Sequence, residues 1–413
     1  MSQWTVERLG RRGDGVAVSA DGARALAPMV LPGEAIEGEA VDGRIPLPRI
    51  VTPSADRVRA PCPHYRACGG CSLMHASDAF VAGWKGEVVA RALQAQGLAA
   101  AITGVATSPP RSRRRAVLSG RRTKKGALVG FHARASDVVV DVAECLVVTP
   151  AILSALPDLR RLVTLGGSRS AELSMAVTDT PAGLDVAVTG GKPLTPALFA
   201  ALADLAAQAD WARLDWGGET LVRRPPALPM GRAQVVPPPG AFLQATAAGQ
   251  DALLAAVRAA VGDAARVADL FAGVGTFALP LAETAEVHAV EGLSAPLAAL
   301  DAAWRGAPGL RRVTTEVRDL ARRPLLPDEL ARFDAVVIDP PRAGAAAQAQ
   351  ALAASQVPVV AWVSCDPVTF ARDARIMAGG GYRLGAVHVI DQFRWSPHVE
   401  TAAVFRRQDA SVR

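Results

Sequence analysis

The stretch "VADLFAGVGTFALPLA", Val267 to Ala282, reads as a β-strand, a glycine-rich turn and the start of a helix. Gly273, Gly275 and Ala278 fit a G-x-G-x-x-A spacing, and such glycines permit a tight turn and close approach of a ligand to the backbone. The next apolar run, "EVHAVE", ends at Glu291, where a carboxylate can accept both hydroxyls of a ribose. The loop alone does not separate a nicotinamide dinucleotide from S-adenosylmethionine. Asp269, ahead of the glycines, tips the balance: a dinucleotide wants the helix N-terminus free for its pyrophosphate. A carboxylate at that strand end suits the ammonium group of an amino-acid tail.

Working outward, "FDAVVID", "PVVAWVSC" and "GAVHVID" continue the alternation of short apolar strands with Ala-rich helical stretches. This predicts an α/β fold, a Rossmann-like doubly wound and mostly parallel sheet over 236–413. "TAAVFRR" is expected as its final edge strand. Val235 to Gly240, "VVPPPG", marks a boundary, since three prolines continue neither a helix nor a central strand. Before it, 106–235 has a mixed α+β pattern with a hairpin in "LSMAVTDTPAGLDVAVTG". Residues 1–52 read as short strands separated by Gly turns, consistent with a small OB-type β-barrel. Between them, 53–105 holds a cysteine-rich loop and a helix that Gly97 stops.

The chain has 413 residues, half of them hydrophobic, and a net charge of +6. No apolar run reaches the ~20 residues of a membrane helix, and "MSQWTVERLG" lacks the apolar segment of a secretory signal. These features predict a cytoplasmic protein with no membrane partner. The positive charge permits a nucleic-acid partner. With 41 arginines against four lysines, its distribution says more than its total. "RSRRRAVLSGRRTKK", Arg111 to Lys125, holds eight basic residues and no acid, the footprint of a nucleic-acid surface.

Three of the five cysteines, Cys62, Cys68 and Cys71, fall within ten residues; Cys145 and Cys365 lie far off. In a reducing compartment such clustering indicates metal binding or catalysis rather than a disulfide. Cys365 ends the strand "VVAWVSC", and Asp339 ends "VVID" before two prolines. Both fall at carboxyl ends of strands, where open α/β sheets bind ligands. An ionised Asp only accepts hydrogen bonds, so Asp-Pro-Pro suggests a methyl acceptor other than an amine. Glu400, in "SPHVETAAV", precedes an apolar strand and could act as a base in the same crevice.

In this order the motifs resemble the S-adenosylmethionine-dependent RNA uracil-C5 methyltransferases. Most similar are the bacterial 23S rRNA members with an N-terminal TRAM domain and an iron–sulfur cluster. "GDGVAV…LPGE", "CPHYRACGGCSLMH", "GFHARASDVVVDVAEC", "GAFLQAT", "DLFAGVGTF", "AVEG", "DPPRAG", "SCDP" and "HVET" carry the likeness over nearly the whole chain. The resemblance implies four parts: a TRAM barrel at 1–52, a cluster loop and helix at 53–105, a central RNA-binding domain at 106–235 and a methyltransferase domain at 236–413. It implies that Cys62, Cys68, Cys71 and Cys145 hold a 4Fe–4S cluster, with four-thiolate zinc as the alternative. Gly69 and Gly70 would let the backbone wrap it.

The same likeness makes Cys365 the nucleophile that adds to C6 of the uracil and Glu400 the base that removes the C5 proton. Gln244, Phe271, Glu291 and Asp339 match cofactor contacts, with Thr276 and Asp319 as additions, and Asp269 and Gly273 line that loop. The implied substrate is 23S rRNA, bound by a monomer at a single-stranded loop with the target base turned out of its stack. A tRNA substrate, a nicotinamide-dependent oxidoreductase and a non-catalytic RNA-binding protein are the competing readings. Thr246, Asp366, Arg394 and Trp395 depart from residues usual in the family.

Overall fold

The computed structural model describes residues 2–408. Its largest sheet has eight strands in the order Val313–Val317, Glu286–Glu291, Arg266–Leu270, Ala335–Ile338, Val359–Ser364, Glu400–Arg407, Tyr382–Asp391 and Ile102–Thr107. The first five are parallel. From Arg266–Leu270 the chain builds outward on one side and then on the other, so the switch point lies between that strand and Ala335–Ile338. The amide of Asp339 donates to the Leu270 carbonyl (3.2 Å), holding the two carboxyl ends side by side. Ligands of such sheets bind outside these ends.

Alternation along each strand divides the core in two, because successive side chains point to opposite faces. Val267, Val337, Ala361 and Val363 pack with Leu253 and Val257 of the helix Ala247–Val261. Ala268, Val336, Val360 and Trp362 pack on the other face with Phe370, Ala374 and Met377 of the helix Pro367–Gly379.

The sheet differs from expectation at one edge. Glu400–Arg407 is interior, antiparallel to both Val359–Ser364 and Tyr382–Asp391. The outer edge is Ile102–Thr107, contributed from well upstream and parallel to Tyr382–Asp391. The helix before it, Asp78–Ala95, adds Val89 and Leu93 to the second core. The "FRR" ending of Glu400–Arg407 suggests an exposed edge, but its first four residues are all buried.

A seven-stranded sheet spans the middle of the chain, in the order Glu219–Val222, Arg213–Trp216, Gly183–Thr189, Leu173–Thr180, Arg115–Arg122, Ala127–His132, Val139–Asp141. The helices Leu156–Gly166 and Pro196–Gln208 contribute Leu159, Leu162, Leu202 and Leu205 to its core. The hairpin read at 173–189 is present, with Thr180 opposite Gly183.

The N-terminal sheet is antiparallel, ordered Arg24–Ala27, Gly15–Ser19, Ser2–Leu9, Ala35–Gly38, Arg49–Thr52. It curls around Trp4, Val6, Ile36 and Ile45. The edge residue Leu26 reaches the segment after the fourth strand, accepting from Ile45 (2.8 Å) and donating to Gly43 (2.9 Å). Leu9 and Leu31 meet Leu73, Val81 and Trp84, fastening this sheet to the cysteine segment and its helix.

Candidate active site and cysteine pocket

The glycine-rich turn carries three left-handed residues: Phe271 (φ 63°), Gly273 (φ 54°) and Gly275 (φ 93°). A Cβ on Gly275 would lie 2.8 Å from Leu300, so this glycine permits the turn to pack on the helix Ser294–Arg305. A Cβ on Gly273 would meet nothing within 4 Å; its surroundings are open, as approach by a ligand requires. Phe271 is a non-glycine residue in a costly conformation, and such strain concentrates at functional sites. Glu291 accepts from the amides of Gly273 (3.1 Å) and Leu293 (3.0 Å). A carboxylate has about four lone-pair positions, so two remain for hydroxyls. Thr276 is half-buried in the same turn. Asp319 follows the neighbouring strand end and accepts from the Ala321 amide (3.0 Å).

Asp269 is fully buried, and neither carboxylate oxygen has a hydrogen-bond partner. Burial raises its pKa well above the usual range, and the nearby Asp339 and Glu291 carboxylates add to this. The Ala278 amide opposes the rise only in part; a buried carboxylate without a well-formed partner is costly, and a cationic ligand group would supply one. The residues present therefore fit S-adenosylmethionine, whose ammonium would complete Asp269 and whose ribose would face Glu291.

Asp339 is held by Gln244, whose Nε2 donates to Oδ2 (3.2 Å). Gln392 Nε2 donates to Gln244 Oε1 (2.6 Å), and Gln392 Oε1 accepts from the Ala245 amide (2.8 Å). Burial pushes Asp339 up to about 7, opposed in part by the Gln244 bond. Ser364 pairs with Thr401 across antiparallel strands, so the next residues in register are Cys365 and Glu400. Glu400 is buried and pushed up to about 8, first by burial and then by the Asp339 carboxylate, with Gln392 and Arg342 opposing. Cys365 is raised to about 12 by burial and by Glu400 and Asp339, with Arg342 again opposing. A thiol, two carboxyls and one guanidinium thus sense each other at one sheet edge. Arg342 and Gln392 carried no signal of such a role in the sequence.

Cys365 opens into a cavity of about 400 Å³ lined by Arg8, Arg11 and Arg12 of the N-terminal sheet and its first turn, Arg91 of the following helix, Arg342 and His398. The stretch at 111–125 is less available. Arg114 is buried, donating to Gln244 O (3.3 Å) and Gln250 Oε1 (2.6 Å). Arg115 donates to Gly240 O (2.9 Å), and Arg113 lies over the Phe393 ring at 5.6 Å. These three arginines brace the middle sheet against the methyltransferase fold; the exposed charges of the stretch are Arg111, Arg121, Lys124 and Lys125.

The departures from family usage have local explanations. Thr246 caps the helix Ala247–Val261, accepting from Gly249 (2.9 Å). Asp366 caps Pro367–Gly379, accepting from Val368 (2.8 Å) and Thr369 (3.3 Å). Asn and Thr or Asp are interchangeable in such caps. Arg394 pairs with Asp78 and donates to Ser108 O. Trp395 is buried against Tyr65 and Met74, and its carbonyl accepts from Ser72 (2.8 Å) and Leu73 (2.9 Å). Both residues tie the loop before Glu400 to the cysteine segment.

Cys62, Cys68, Cys71 and Cys145 line a single pocket of about 460 Å³, although Cys145 lies far away in sequence. Burial, then the neighbouring thiols, raise Cys71 to about 12 and Cys68 less. Gly69 donates to His132 O (2.8 Å), and a Cβ there would collide with that carbonyl. Among the described residues, no three His, Cys, Asp or Glu side chains are arranged to hold a metal ion. Arg342, Pro397 and His398 line this pocket and the Cys365 cavity alike.

The tRNA (uracil-5-)-methyltransferase family model matches residues 237–408. An uncharacterized RNA methyltransferase of Brucella suis is 44% identical over 98% of both chains. The 23S rRNA (uracil(1939)-C(5))-methyltransferase RlmD of Halomonas elongata is 33% identical, over 99% of this chain and 90% of that protein. The chain belongs to the RNA uracil-C5 methyltransferase family. A crystal structure of the Pyrococcus abyssi tRNA (uracil-54, C5)-methyltransferase with S-adenosyl-L-homocysteine shares its fold, with a TM-score of 0.76 at 21% identity over 98% of this chain and 99% of that one. The protein is an S-adenosylmethionine-dependent RNA methyltransferase, and no helix among its described residues is long and apolar enough to cross a membrane.

Proposed function

We propose that this RNA methyltransferase modifies C5 of a uridine in a single-stranded loop of 23S rRNA, through a covalent adduct on Cys365. The register that puts Cys365 opposite Glu400, beside Asp339, carries the reading. The 33% identity to a 23S rRNA enzyme supports the substrate. The tRNA wording of the family model favours tRNA as the second reading.

S-adenosylmethionine, when bound, supplies an electrophilic methyl group on a sulfonium. Gln244, Phe271, Gly273, Glu291 and Asp339, with Asp269, Thr276 and Asp319, would hold and orient it. Uracil C5 is too weak a nucleophile to react unaided. Cys365 Sγ forms a bond to C6, and the electron pair of the C5–C6 double bond moves toward O4, making C5 nucleophilic. Once C5 carries the methyl group, Glu400 accepts the C5 proton. The double bond reforms, the bond from Sγ to C6 breaks, and the cysteine is free again. Only the thiolate attacks; Arg342 already opposes the rise in the Cys365 pKa, and the positive charge of a bound sulfonium ligand would lower it further.

The N-terminal sheet is read as the TRAM unit, followed by the cysteine segment, the middle RNA-binding sheet and the methyltransferase fold. Its Arg8, Arg11 and Arg12 then face the RNA phosphates flanking the target base. Four thiols lining one pocket are the ligand number of a 4Fe–4S cluster, each of whose irons takes one thiolate, and equally of a four-thiolate zinc site; family likeness favours the cluster. The thiols would hold the cluster as a structural element.

Glu400→Gln tests the mechanism. With proton removal blocked, a protein–RNA adduct is expected to accumulate and survive denaturing electrophoresis. Absence of a shifted band would remove Glu400 as the base.

A further inference from the structure

We propose that Thr369, Arg372 and Asp373 are positioning residues for methyl transfer: from one face of the helix Pro367–Gly379 they clamp the turn that carries Arg342 and so fix its guanidinium in the Cys365 cavity. The inference rests on the reading of Cys365 as the nucleophile. Residues 372 and 373 stand three and four places after 369, so the three share one face of the helix. The helix begins just after Cys365, with Asp366 as its cap.

Each of the three side chains takes a different backbone group of the turn. Gly344 closes the turn, donating to the Pro341 carbonyl (2.8 Å). Thr369 Oγ1 donates to Arg342 O (3.1 Å), and Arg372 Nη2 donates to Ala343 O (2.9 Å). Asp373 Oδ2 accepts from the Ala345 amide (2.8 Å). Arg372 Nε donates to Asp373 Oδ1 (2.8 Å), joining the two side chains. Gly344 has a left-handed backbone (φ 74°), and a Cβ on it would lie 2.5 Å from Arg372 Nη2 and 2.6 Å from Asp373 Oδ2. Turn and helix therefore meet with no room for a side chain between them.

Asp373 is fully buried, and burial raises its pKa against the opposing Ala345 amide and Arg372. A buried carboxylate is costly unless it is hydrogen-bonded. The bonds that satisfy this one come from the turn and from Arg372, so it is stable with the turn in place. Arg342 is exposed, and among the described residues its guanidinium has no ion-pair or hydrogen-bond partner. Its position therefore depends on the backbone beneath it. Arg342 lines the Cys365 cavity and opposes the effect of burial at both Cys365 and Glu400. One helix thus holds the thiol ahead of its first residue and the guanidinium through its first two turns. A site fixed by a helix keeps its geometry more closely than one fixed by loops.

The test uses the full-length protein without ligand. It reads the rate at which iodoacetamide alkylates Cys365 at one fixed pH, resolved from the other four cysteines by peptide mass spectrometry. Asp373→Asn leaves one oxygen to serve two donors, which loosens the clamp. It should slow alkylation about threefold, the effect of displacing one partly exposed charge. Arg342→Ala should slow it equally. The double variant should be no slower than Arg342→Ala, since residues that act through one another are not additive. Thr369→Val should also slow alkylation, and Thr369→Ser, which keeps the hydroxyl, should restore the parental rate. Thermal melts check folding; if Asp373→Asn does not fold, the two Thr369 variants decide. In methylation of 23S rRNA, kcat should fall in step with alkylation while KM for S-adenosylmethionine is unchanged. Parental alkylation rates in Asp373→Asn and Thr369→Val, or an equal slowing by Asp373→Asn with and without Arg342, would overturn the proposal. Full methylation by Cys365→Ala would instead overturn the reading of the nucleophile, whatever the alkylation rates, and the role in methyl transfer with it.

Discussion

Asp269 and Glu400 are buried and Asp339 half-buried, three carboxyl groups held near one another with Arg342 as a cation beside Glu400. Each has its pKa raised by burial, to about 7 for Asp339 and about 8 for Glu400. A carboxyl whose folded pKa lies above its unfolded value binds more protons when folded, so stability falls as pH rises between the two values. These three carboxyls therefore contribute stability to the ligand-free protein that is lost from about pH 4 to pH 8, against the opposite contribution of His75, His288 and His398, whose pKa values burial lowers. Asp339→Asn removes one such group, so the difference in melting temperature between variant and parent should move in the variant's favour as pH rises across this range. Saturating S-adenosylmethionine, which brings positive charge to these acids, should shrink that difference. Melting curves of both proteins check this, and a difference that moves toward the parent at high pH would contradict the assignment.

The sequence made Cys365, Glu400 and Asp339 legible because each stands in a short motif at a strand end. Gln392 was not legible: nothing in "DQFRWSPHVE" distinguishes an amide that bridges Gln244 and the Ala245 amide from one in solvent. Arg113 to Arg115 misled in the opposite direction. Charge density in sequence indicates a surface, yet these three side chains are turned onto Phe393, Gln250 and Gly240, in loops and a helix of the methyltransferase fold.

At the scale of elements, the five parallel strands and the 173–189 hairpin were readable from period and turn residues, except Val313–Val317. That strand is half exposed and reads "VTTEV", with too little apolar pattern to stand out. The interior place of Glu400–Arg407 was not readable, since it inserts between Val359–Ser364 and Tyr382–Asp391, against chain order, and the edge beyond is filled by Ile102–Thr107 from far away in sequence. The helix Asp78–Ala95 is joined to this edge by a fully buried ion pair, Lys85 to Asp391. Lys85 also donates to Phe393 O (3.2 Å), and Asp391 accepts from the Phe393 amide (3.1 Å). The pair thereby fixes the start of the loop that carries Gln392 and leads to Glu400. Lys85→Ala would leave a buried carboxylate unpaired and is expected to cost about 3–5 kcal/mol in urea denaturation. Lys85→Met with Asp391→Leu should restore most of that stability, because apolar pairs replace buried ion pairs without loss. A cost below about 1 kcal/mol for Lys85→Ala would show that the pair does not hold the edge.

Across the whole molecule, the N-terminal sheet and the cysteine segment are parts of the catalytic surroundings. Arg8, Arg11 and Arg12 reach the Cys365 cavity, and the cysteine pocket shares a wall with it. The sequence placed the four cysteines together only through family likeness. The fold brings Cys145 to the other three by pairing Cys68 with Ala133 and by returning the chain through Val139–Asp141. Protein purified without oxygen is expected to be brown, with about four irons per chain; a colourless protein with one zinc would contradict the cluster.

The most direct measurement is nucleoside mass spectrometry after reaction with S-adenosylmethionine, using unmodified 23S rRNA and tRNA in parallel. The account predicts 5-methyluridine in the 23S rRNA alone, with none from Cys365→Ala, which should still bind S-adenosylmethionine. Full activity of that variant, or product confined to tRNA, would contradict the proposed nucleophile or the proposed substrate respectively.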